Sequence, residues 1–179
     1  MQIIGIAGKA ESGKTTLANI LKERLEENHK RVLLINYGDF VKFICKQYYN
    51  WNGEKDEYGR ALLQHVGTEQ GRIMVDENIW VDMVINTVEV ASRDYDIAIV
   101  ADCRFPNEFD RWEEKGKKIL KIRIARPEYQ NKLTEEQKNH ASETSLDNYR
   151  DWDLFICNEG TIEKLKERAE SIITLIINE

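Results

Sequence analysis

Cysteine and histidine are scarce in this sequence, with three residues of each. Cys45, Cys103 and Cys157 are far apart and lie outside any C-x-x-C spacing, so the sequence predicts neither a disulfide framework nor a zinc site. We expect these three side chains to be thiols in or near the core. The three histidines form no catalytic triad and no metal-binding spacing with one another.

An excess of positive charge is also missing, because 26 lysines and arginines stand against 32 aspartates and glutamates. The resulting net charge of −6 argues against a broad electrostatic surface for DNA or RNA. A local basic pocket can still bind a small anionic substrate. We therefore expect no nucleic-acid partner.

Long apolar runs are absent as well. The final apolar run, SIITLII, is far shorter than the ~20 residues that a membrane-spanning helix needs. The first residues, MQIIGIAGKA, lack the basic start and the longer apolar stretch of a secretory signal peptide. We expect a cytoplasmic protein without a membrane partner.

The composition is that of an ordinary globular protein, with 41% hydrophobic and 32% charged residues. The length of 179 residues predicts a single domain over residues 1–179. Five short runs of apolar and β-branched residues predict buried parallel strands. These runs are IIGIA from Ile3, VLLINY from Val32, IAIVA from Ile97, ILKIRIA from Ile119 and LFIC from Leu154.

The stretches between these runs have helical spacing. The predicted helices cover Lys14 to Asn28, Asp39 to Tyr49, Tyr58 to Arg72, Trp80 to Arg93, Pro106 to Lys115 and about Ile162 to Ile177. Strands that alternate with helices predict a three-layer α/β fold, with a five-stranded, mainly parallel sheet and helices on both faces. The polar residues 49–57 predict a loop, and the charged residues 126–152 predict a mobile flap.

The most specific motif is GKAESGKT, from Gly8 to Thr15, which matches the phosphate-binding P-loop pattern G-x-x-x-x-G-K-[ST]. It follows a predicted strand and precedes a predicted helix, as the motif requires. The alternative is a glycine turn that only caps the helix. The motif predicts that the loop and the start of its helix bind a nucleoside triphosphate through Gly8, Ala10, Ser12, Gly13, Lys14, Thr15 and Thr16.

Within this motif, Lys14 is expected to reach the β- and γ-phosphates, and the Thr15 hydroxyl to bind Mg²⁺. Thr16 is expected to contact the α-phosphate. Asp102 ends a predicted central strand, so it should lie at the carboxyl edge of the sheet, where it suits the outer coordination sphere of Mg²⁺. A helix-capping role for Asp102 is the alternative.

Four further segments follow in order: YGDFVKFIC, RALLQHVGTEQGR, IWVDMV and VADCRFPNE. Together with the P-loop they resemble the bacteriophage-type deoxynucleoside monophosphate kinases, over most of the chain up to about Lys121. The resemblance implies the P-loop kinase fold, ATP with Mg²⁺ as phosphoryl donor and a deoxynucleoside monophosphate as acceptor. It also implies an acceptor-binding helical region at about 38–93, a lid at about 126–152 and, for a phage protein, the host cytoplasm. The sequence leaves open whether the protein forms a homodimer.

The resemblance places the GTEQGR block at the acceptor pocket, so we expect Arg72 to bind the acceptor phosphate and to act in catalysis. A solvated arginine at a helix end is the alternative. Arg104 should also point toward the ligands, with an ion pair to Glu108 as an equal alternative. Lys42 and Arg60 are further candidate cations for the transferred group.

Other candidate acceptor contacts are Asp39, Gln64 and Trp80. Asp39 would begin the helix after the second strand, where simple capping competes with acceptor binding. Gln64 could hydrogen-bond a base or lie exposed, and Trp80 could stack on a base or belong to the core. At the entry of the lid, Arg126 is expected to clamp the donor phosphates. The element HASET, from His140 to Thr144, is similar to one in these kinases, but its role cannot be derived.

The acceptor chemistry supports this interpretation. A monophosphate has a second pKa near ~6, so its attacking oxygen is largely ionised at neutral pH and needs no general base. Two alternatives stay open. One is a kinase that phosphorylates a hydroxyl, as dephospho-coenzyme A kinase does, with Asp39 as base. The other is a nucleotide-hydrolysing switch protein, although the sequence has no N-K-x-D element and no obvious water-positioning glutamine after Asp102.

Overall fold

The five predicted strands form one sheet, in which every neighbouring pair is parallel. A computed structural model describes residues 1–127 and 133–178. The sheet order is β2-β3-β1-β4-β5, which places the P-loop strand β1 at the centre. The strands are β1 (Gln2–Ala7), β2 (Val32–Ile35), β3 (Ile97–Cys103), β4 (Ile119–Ala125) and β5 (Leu154–Cys157). The prediction of a mainly parallel five-stranded sheet is therefore confirmed.

Eight α-helices and one π-helical segment cover much of the rest of the described chain. The α-helices are α1 (Lys14–Glu27), α2 (Tyr37–Tyr48), α3 (Glu57–Gln64), α4 (Ile79–Ala91), α5 (Asn107–Glu114), α6 (Glu135–Asn139), α7 (Ala141–Thr144) and α8 (Ile162–Asn178). The π-helical segment, His65–Val75, continues directly from α3. In the described ranges, no helix combines the length and apolarity needed to cross a membrane.

The sheet is covered by helices on both faces, because alternate side chains of each strand point to opposite sides. In β3, Ile97 and Ile99 belong to the hydrophobic cluster that includes α1 and α8. Ala98 and Val100 belong to the cluster that includes α2, α4 and α5. These two clusters make the three layers that the strand and helix pattern predicts.

The structure corrects two predicted elements. Strand β2 ends at Ile35 rather than Tyr37, because Asn36 begins the cap of α2. The predicted helix from Tyr58 to Arg72 is α-helical only to Gln64, after which the chain is π-helical. Helical periodicity in the sequence cannot separate these two hydrogen-bond patterns, so the hydrophobic spacing alone carried no signal for the change.

All three cysteines are thiols, as predicted, and two of them lie in the core. Cys45 and Cys103 are buried thiols in the cluster with α2 and α5. Cys157 is only half-buried, and its thiol contacts Glu159 at the end of the edge strand β5. Of the predicted flap, residues 128–132 lie outside the described ranges. Its described part contains the two short helices α6 and α7.

Candidate active site

The loop between β1 and α1 is shaped to receive an anion. Gly13 has φ 100° and ψ 12°, a left-handed conformation that strongly favours glycine. A Cβ atom at Gly8 would collide with the carbonyl oxygen of Ile124, so only glycine lets the loop pass this close to β4. In the described chain, no side chain caps the start of α1 and its first turn has no acidic residue. The N–H groups of this turn are therefore left for a phosphate.

Lys14 follows this loop as the first residue of α1 and is buried, with 8% of its surface exposed. Its Nζ donates to the carbonyl oxygens of Gly8 at 2.6 Å and Lys9 at 2.7 Å. Burial, with a smaller contribution from Arg104, lowers the pKa of the Lys14 ammonium to about 7. A bound phosphate would restore its charge, because an opposite charge favours the protonated form.

A carboxylate of the protein itself is bound against the phosphate loop. Glu143 accepts a hydrogen bond from the Ala10 N–H at 2.8 Å and another from Arg104 Nη1 at 2.7 Å. Its side chain is only 8% exposed. The Ala10 N–H and the Arg104 guanidinium therefore form an anion site.

Glu143 is held in place by the HASET element, whose role the sequence leaves open. His140 caps helix α7, since its Nδ1 accepts from the Ser142 N–H at 3.2 Å. The other ring nitrogen of His140 lies 2.9 Å from a carboxylate oxygen of Glu69 in the π-helical segment. The element thus connects the phosphate loop to the GTEQGR block.

Two cavities meet at the phosphate loop and share Glu11, Lys14 and Thr15. The first has a volume of about 410 Å³, and its lining includes Thr16, Arg126, Asn158, Gly160 and Thr161. The second has a volume of about 640 Å³, and its lining includes Lys42, Gln64, Arg72, Trp80, Asp102 and Arg104. Most of the residues predicted from the sequence therefore lie around one of these two cavities.

Asp102 lies at the end of β3 but does not cap the next helix. Its two carboxylate oxygens accept from the N–H groups of Tyr37 and Gly38, each at 2.8 Å, at the start of α2. Burial raises the pKa of the Asp102 carboxyl, and these two N–H donors oppose the shift. Asp102 thus caps α2 through Tyr37, which is 65 residues away in sequence. A local sequence pattern cannot reveal so distant a partner.

The predicted Mg²⁺ ligands fit a magnesium ion carried by a nucleotide. Thr15 and Asp102 both line the second cavity beside Lys14, and both offer the oxygen ligands that Mg²⁺ prefers. No group of three or more acidic, histidine or cysteine side chains suited to a metal occurs in the described ranges. The Thr15 hydroxyl as a ligand and the Asp102 carboxylate in the outer sphere are enough for Mg²⁺ when phosphates and water supply the other ligands.

Arg72 is not the solvated arginine of a helix end. It forms an ion pair with Glu108, and the two side chains are only 9% and 2% exposed. The guanidinium also lies over the ring of Phe105, at 4.3 Å from the ring centroid, and donates to the carbonyl oxygen of Glu77 at 3.0 Å. Arg72 lines the second cavity, but much of its hydrogen bonding is already used within the protein.

Glu108 organises the turn that leads from β3 to α5. Besides Arg72, it accepts hydrogen bonds from the backbone N–H groups of Arg104 and Phe105. Burial raises the pKa of the Glu108 carboxyl to about 7, and the charge of Arg72 opposes the shift. The expected alternative of an Arg104 to Glu108 ion pair is therefore wrong, because the Arg104 side chain pairs with Glu143 and only its backbone meets Glu108.

Asp39 is exposed and caps α2. Its carboxylate accepts from the Asn36 N–H at 3.0 Å and from Lys42 Nζ at 2.8 Å. Asp39 does not line the second cavity, whereas Lys42 does. Trp80 is buried, and its Nε1 donates to the carbonyl oxygen of Gly67 at 2.7 Å, so it is a core residue with one edge at the cavity.

A sequence model of a family described as deoxynucleotide monophosphate kinase matches residues 34–169 of this chain. The chain belongs to the deoxynucleotide monophosphate kinase family. The resemblance of the sequence motifs to this group of kinases is thereby confirmed.

Individual relatives agree with the family. The chain is 28% identical to a putative deoxynucleotide monophosphate kinase, so named, of Acanthamoeba polyphaga mimivirus, over 97% of this chain and 96% of the relative. A segment of 49 residues is 49% identical to the deoxynucleoside-5'-monophosphate kinase of Escherichia phage T5, covering 27% of this chain and 19% of that protein.

Solved structures of other kinases share the fold of this family member. The Mycobacterium tuberculosis APS kinase in complex with AMPPNP and APS aligns with a TM-score of 0.56 and 14% identity, over 98% of this chain and 96% of that chain. A sugar kinase from Janibacter sp. HTCC2649 aligns with a TM-score of 0.58 and 13% identity, over 96% and 93%. At these identities the likeness shows the P-loop kinase fold alone.

Sequence reasoning missed several residues that line the site of this kinase family member. Glu11 lies in the loop itself, with φ 60°, and its carboxylate is 3.6 Å from Arg60. Asn158, after β5, donates to the carbonyl oxygen of Ser12 at 3.0 Å and ties the loop to the sheet. The position of Glu11 within the P-loop motif was an available signal, whereas no local signal marks Asn158.

The buried pair of Arg72 and Glu108 leads to a stability prediction. The change Glu108→Ala is expected to lower the free energy of unfolding by about 3–5 kcal/mol, because Arg72 would be left buried without its carboxylate partner. The measurement is urea unfolding of both proteins. As a control, Glu89→Ala breaks an ion pair with Lys117 in which both side chains are well exposed, at 45% and 43%. It should cost no more than about 1 kcal/mol. Equal losses in the two variants would contradict the assigned role of Glu108.

Proposed function

We propose that this protein transfers the γ-phosphoryl group of ATP to a deoxynucleoside monophosphate, giving ADP and the deoxynucleoside diphosphate. The observation that carries the proposal is the junction of two cavities at Lys14. A kinase with two nucleotide substrates needs one cavity on each side of the transferred group. Membership of the deoxynucleotide monophosphate kinase family supports the same reaction.

The first cavity is the proposed site for the nucleoside part of ATP. It lies beside the start of α1, with Thr16 on one side and residues 158–161 after β5 on the other. Arg126 also lines this cavity, where it can reach a donor phosphate. The triphosphate then lies along residues 8–15, where the N–H groups and Lys14 neutralise its charge.

The second cavity is the proposed acceptor site. Gln64 and an edge of Trp80 line it together with apolar side chains such as Val41 and Leu63, which suits a base. Lys42, Arg60, Arg72 and Arg104 supply positive charge at the same cavity. Because the acceptor phosphate is already ionised at neutral pH, positioning and charge neutralisation are sufficient for transfer.

Transfer then forms one bond and breaks one. An oxygen of the acceptor phosphate bonds to the γ-phosphorus, and the bridging bond to the β-phosphate oxygen breaks, so that ADP leaves with the electron pair. Lys14 lies at the junction where this charge develops. Mg²⁺ bound with ATP would be held by Thr15 and Asp102 and would neutralise phosphate charge.

The alternative reaction, phosphorylation of a hydroxyl with Asp39 as general base, is disfavoured by the geometry. The Asp39 carboxylate is engaged by Asn36 and Lys42 and does not line the acceptor cavity. A base must lie within hydrogen-bond reach of the proton that it removes. We therefore assign Asp39 to the cap of α2 and to holding Lys42.

The lid is proposed to change its contacts when ATP binds. Glu143 holds the Ala10 N–H and Arg104, two groups that a triphosphate in the loop would need. When phosphate oxygens replace the Glu143 carboxylate, Arg104 becomes available to the transferred group. Helix α7, which carries Glu143, would then move away from the loop.

We assign this reaction to the cytoplasm, in keeping with its nucleotide substrates.

The proposed reaction is tested by measuring ADP release with ATP, Mg²⁺ and a panel of ribo- and deoxynucleoside monophosphates. At least one deoxynucleoside monophosphate should stimulate ADP release, with one deoxynucleoside diphosphate formed for each ADP. The control lacks any acceptor. ADP release that does not depend on the acceptor would instead favour a nucleotide-hydrolysing switch, and release that requires a hydroxyl compound would favour the other kinase class.

The hydrogen bond between Glu143 and the phosphate loop leads to a prediction about the affinity for nucleotide. The change Glu143→Gln should tighten binding of the ATP analogue AMPPNP, up to about tenfold, because the variant lacks the charge that competes with phosphate. Calorimetric titration measures this directly. Glu136→Gln removes an exposed carboxylate from the same segment and should leave the affinity unchanged. Weaker binding in Glu143→Gln would show that the carboxylate assists ATP rather than competing with it.

A further inference from the structure

Six cationic side chains line the acceptor cavity. They are Lys14, Lys42, Lys55, Arg60, Arg72 and Arg104. Such a concentration of positive charge is costly unless anions are present, since like charges at short range repel. The charge balance of this cavity therefore shows where an external anion is needed.

Four of these cations are paired with carboxylates of the protein. Lys42 pairs with Asp39 at 2.8 Å, and Arg60 lies 3.6 Å from Glu11. Arg104 pairs with Glu143 of the lid, and Arg72 pairs with Glu108 of α5. Both carboxylates are buried. Lys14 is held by two carbonyl oxygens of the phosphate loop.

Lys55 is the exception. Within residues 1–127 and 133–178, its ammonium group has no carboxylate partner and no hydrogen bond, although it lines the cavity. Partial burial, and then the charges of Lys42 and Arg60, lower the pKa of the Lys55 ammonium. An anion in the cavity would raise this pKa again, because an opposite charge favours the protonated ammonium.

The loop that carries Lys55 is anchored at several points. Trp51 is buried, and its Nε1 donates to the carbonyl oxygen of Glu54 at 2.9 Å. Asp56 caps α3 by accepting from the Gly59 N–H at 2.7 Å. Arg60 Nε donates to the carbonyl oxygen of Lys55 itself at 3.0 Å. These contacts hold the backbone of Lys55 beside the cavity.

We propose that Lys55 binds the 5'-phosphate of the acceptor nucleotide, together with Arg60. The inference rests on the proposed function. Lys55 lines the second cavity and not the first, and it lies in the region assigned to acceptor binding rather than in the phosphate loop, so we assign it to the acceptor phosphate. A monophosphate dianion would give Lys55 the counterion that the protein does not supply.

The test compares Lys55→Gln with a matched control, Lys166→Gln, which changes an exposed lysine of α8 that lines neither cavity. The ligands are the deoxynucleoside monophosphate that the parent protein uses best, the same deoxynucleoside without its phosphate, and AMPPNP. Calorimetry measures the three dissociation constants. In Lys55→Gln the value for the monophosphate should rise about 10- to 100-fold, while the values for the deoxynucleoside and AMPPNP stay unchanged. Lys166→Gln should leave all three values unchanged.

Kinetics and a conservative variant complete the test. The KM for the acceptor should rise with the dissociation constant, and kcat should stay within a few-fold of the parent. Lys55→Arg should restore part of the affinity for the monophosphate, because it keeps the charge. Thermal melting of each variant shows whether it is folded.

The outcomes separate the two proposals. If the parent protein phosphorylates a monophosphate but Lys55→Gln binds that monophosphate as well as the parent does, the assignment of Lys55 is wrong and the function stands. An equal loss of affinity for the deoxynucleoside also overturns the assignment, because the effect would then not come from the phosphate. If the parent transfers phosphate to no monophosphate, both proposals fail.

Discussion

The site is governed by one electrostatic constraint: cations gathered to bind phosphates need anions before the phosphates arrive. Within the described residues, the protein supplies a carboxylate or carbonyl partner for each cation of the acceptor cavity except Lys55. Glu143 pairs with Arg104, Glu108 with Arg72, and Lys14 is bound by carbonyl oxygens of its own loop. Burial, with a smaller contribution from Arg104, lowers the pKa of Lys14 to about 7, and a bound phosphate would oppose that shift. In the proposed reaction, ATP would replace the Glu143 carboxylate at the phosphate loop, whereas the acceptor phosphate would give Lys55 its counterion.

The parallel sheet places these groups at one edge. The carboxyl end of β1 leads into the phosphate loop, and Asp102 and Arg104 lie at the end of β3. Asp102 fixes the start of α2 at this edge through two backbone N–H groups, which brings Lys42 to the cavity. The cleft is therefore built from strand ends and the helix starts beside them, where α/β sheets bind ligands.

The sequence predicted the parts of this account that depend on local pattern. Strands β4 and β5 match their apolar runs residue for residue, although β5 lies at the edge of the sheet and Ile156 is its one buried residue. The phosphate loop was predicted from its motif. The partners of Arg104 and Asp102 were not, because they lie 39 and 65 residues away in sequence. Lys55 was missed for a different reason: an isolated lysine in a polar loop carries no pattern.

In the proposed complex, two nucleotides meet at Lys14. A compound that joins adenosine to a deoxynucleoside through five phosphates should occupy both cavities at once. The account predicts that it binds at least about 100-fold more tightly than adenosine pentaphosphate, which lacks the second nucleoside, because linked groups bind with a high effective concentration. Equal affinity of the two compounds would contradict the account, since the second cavity would then not receive a nucleoside.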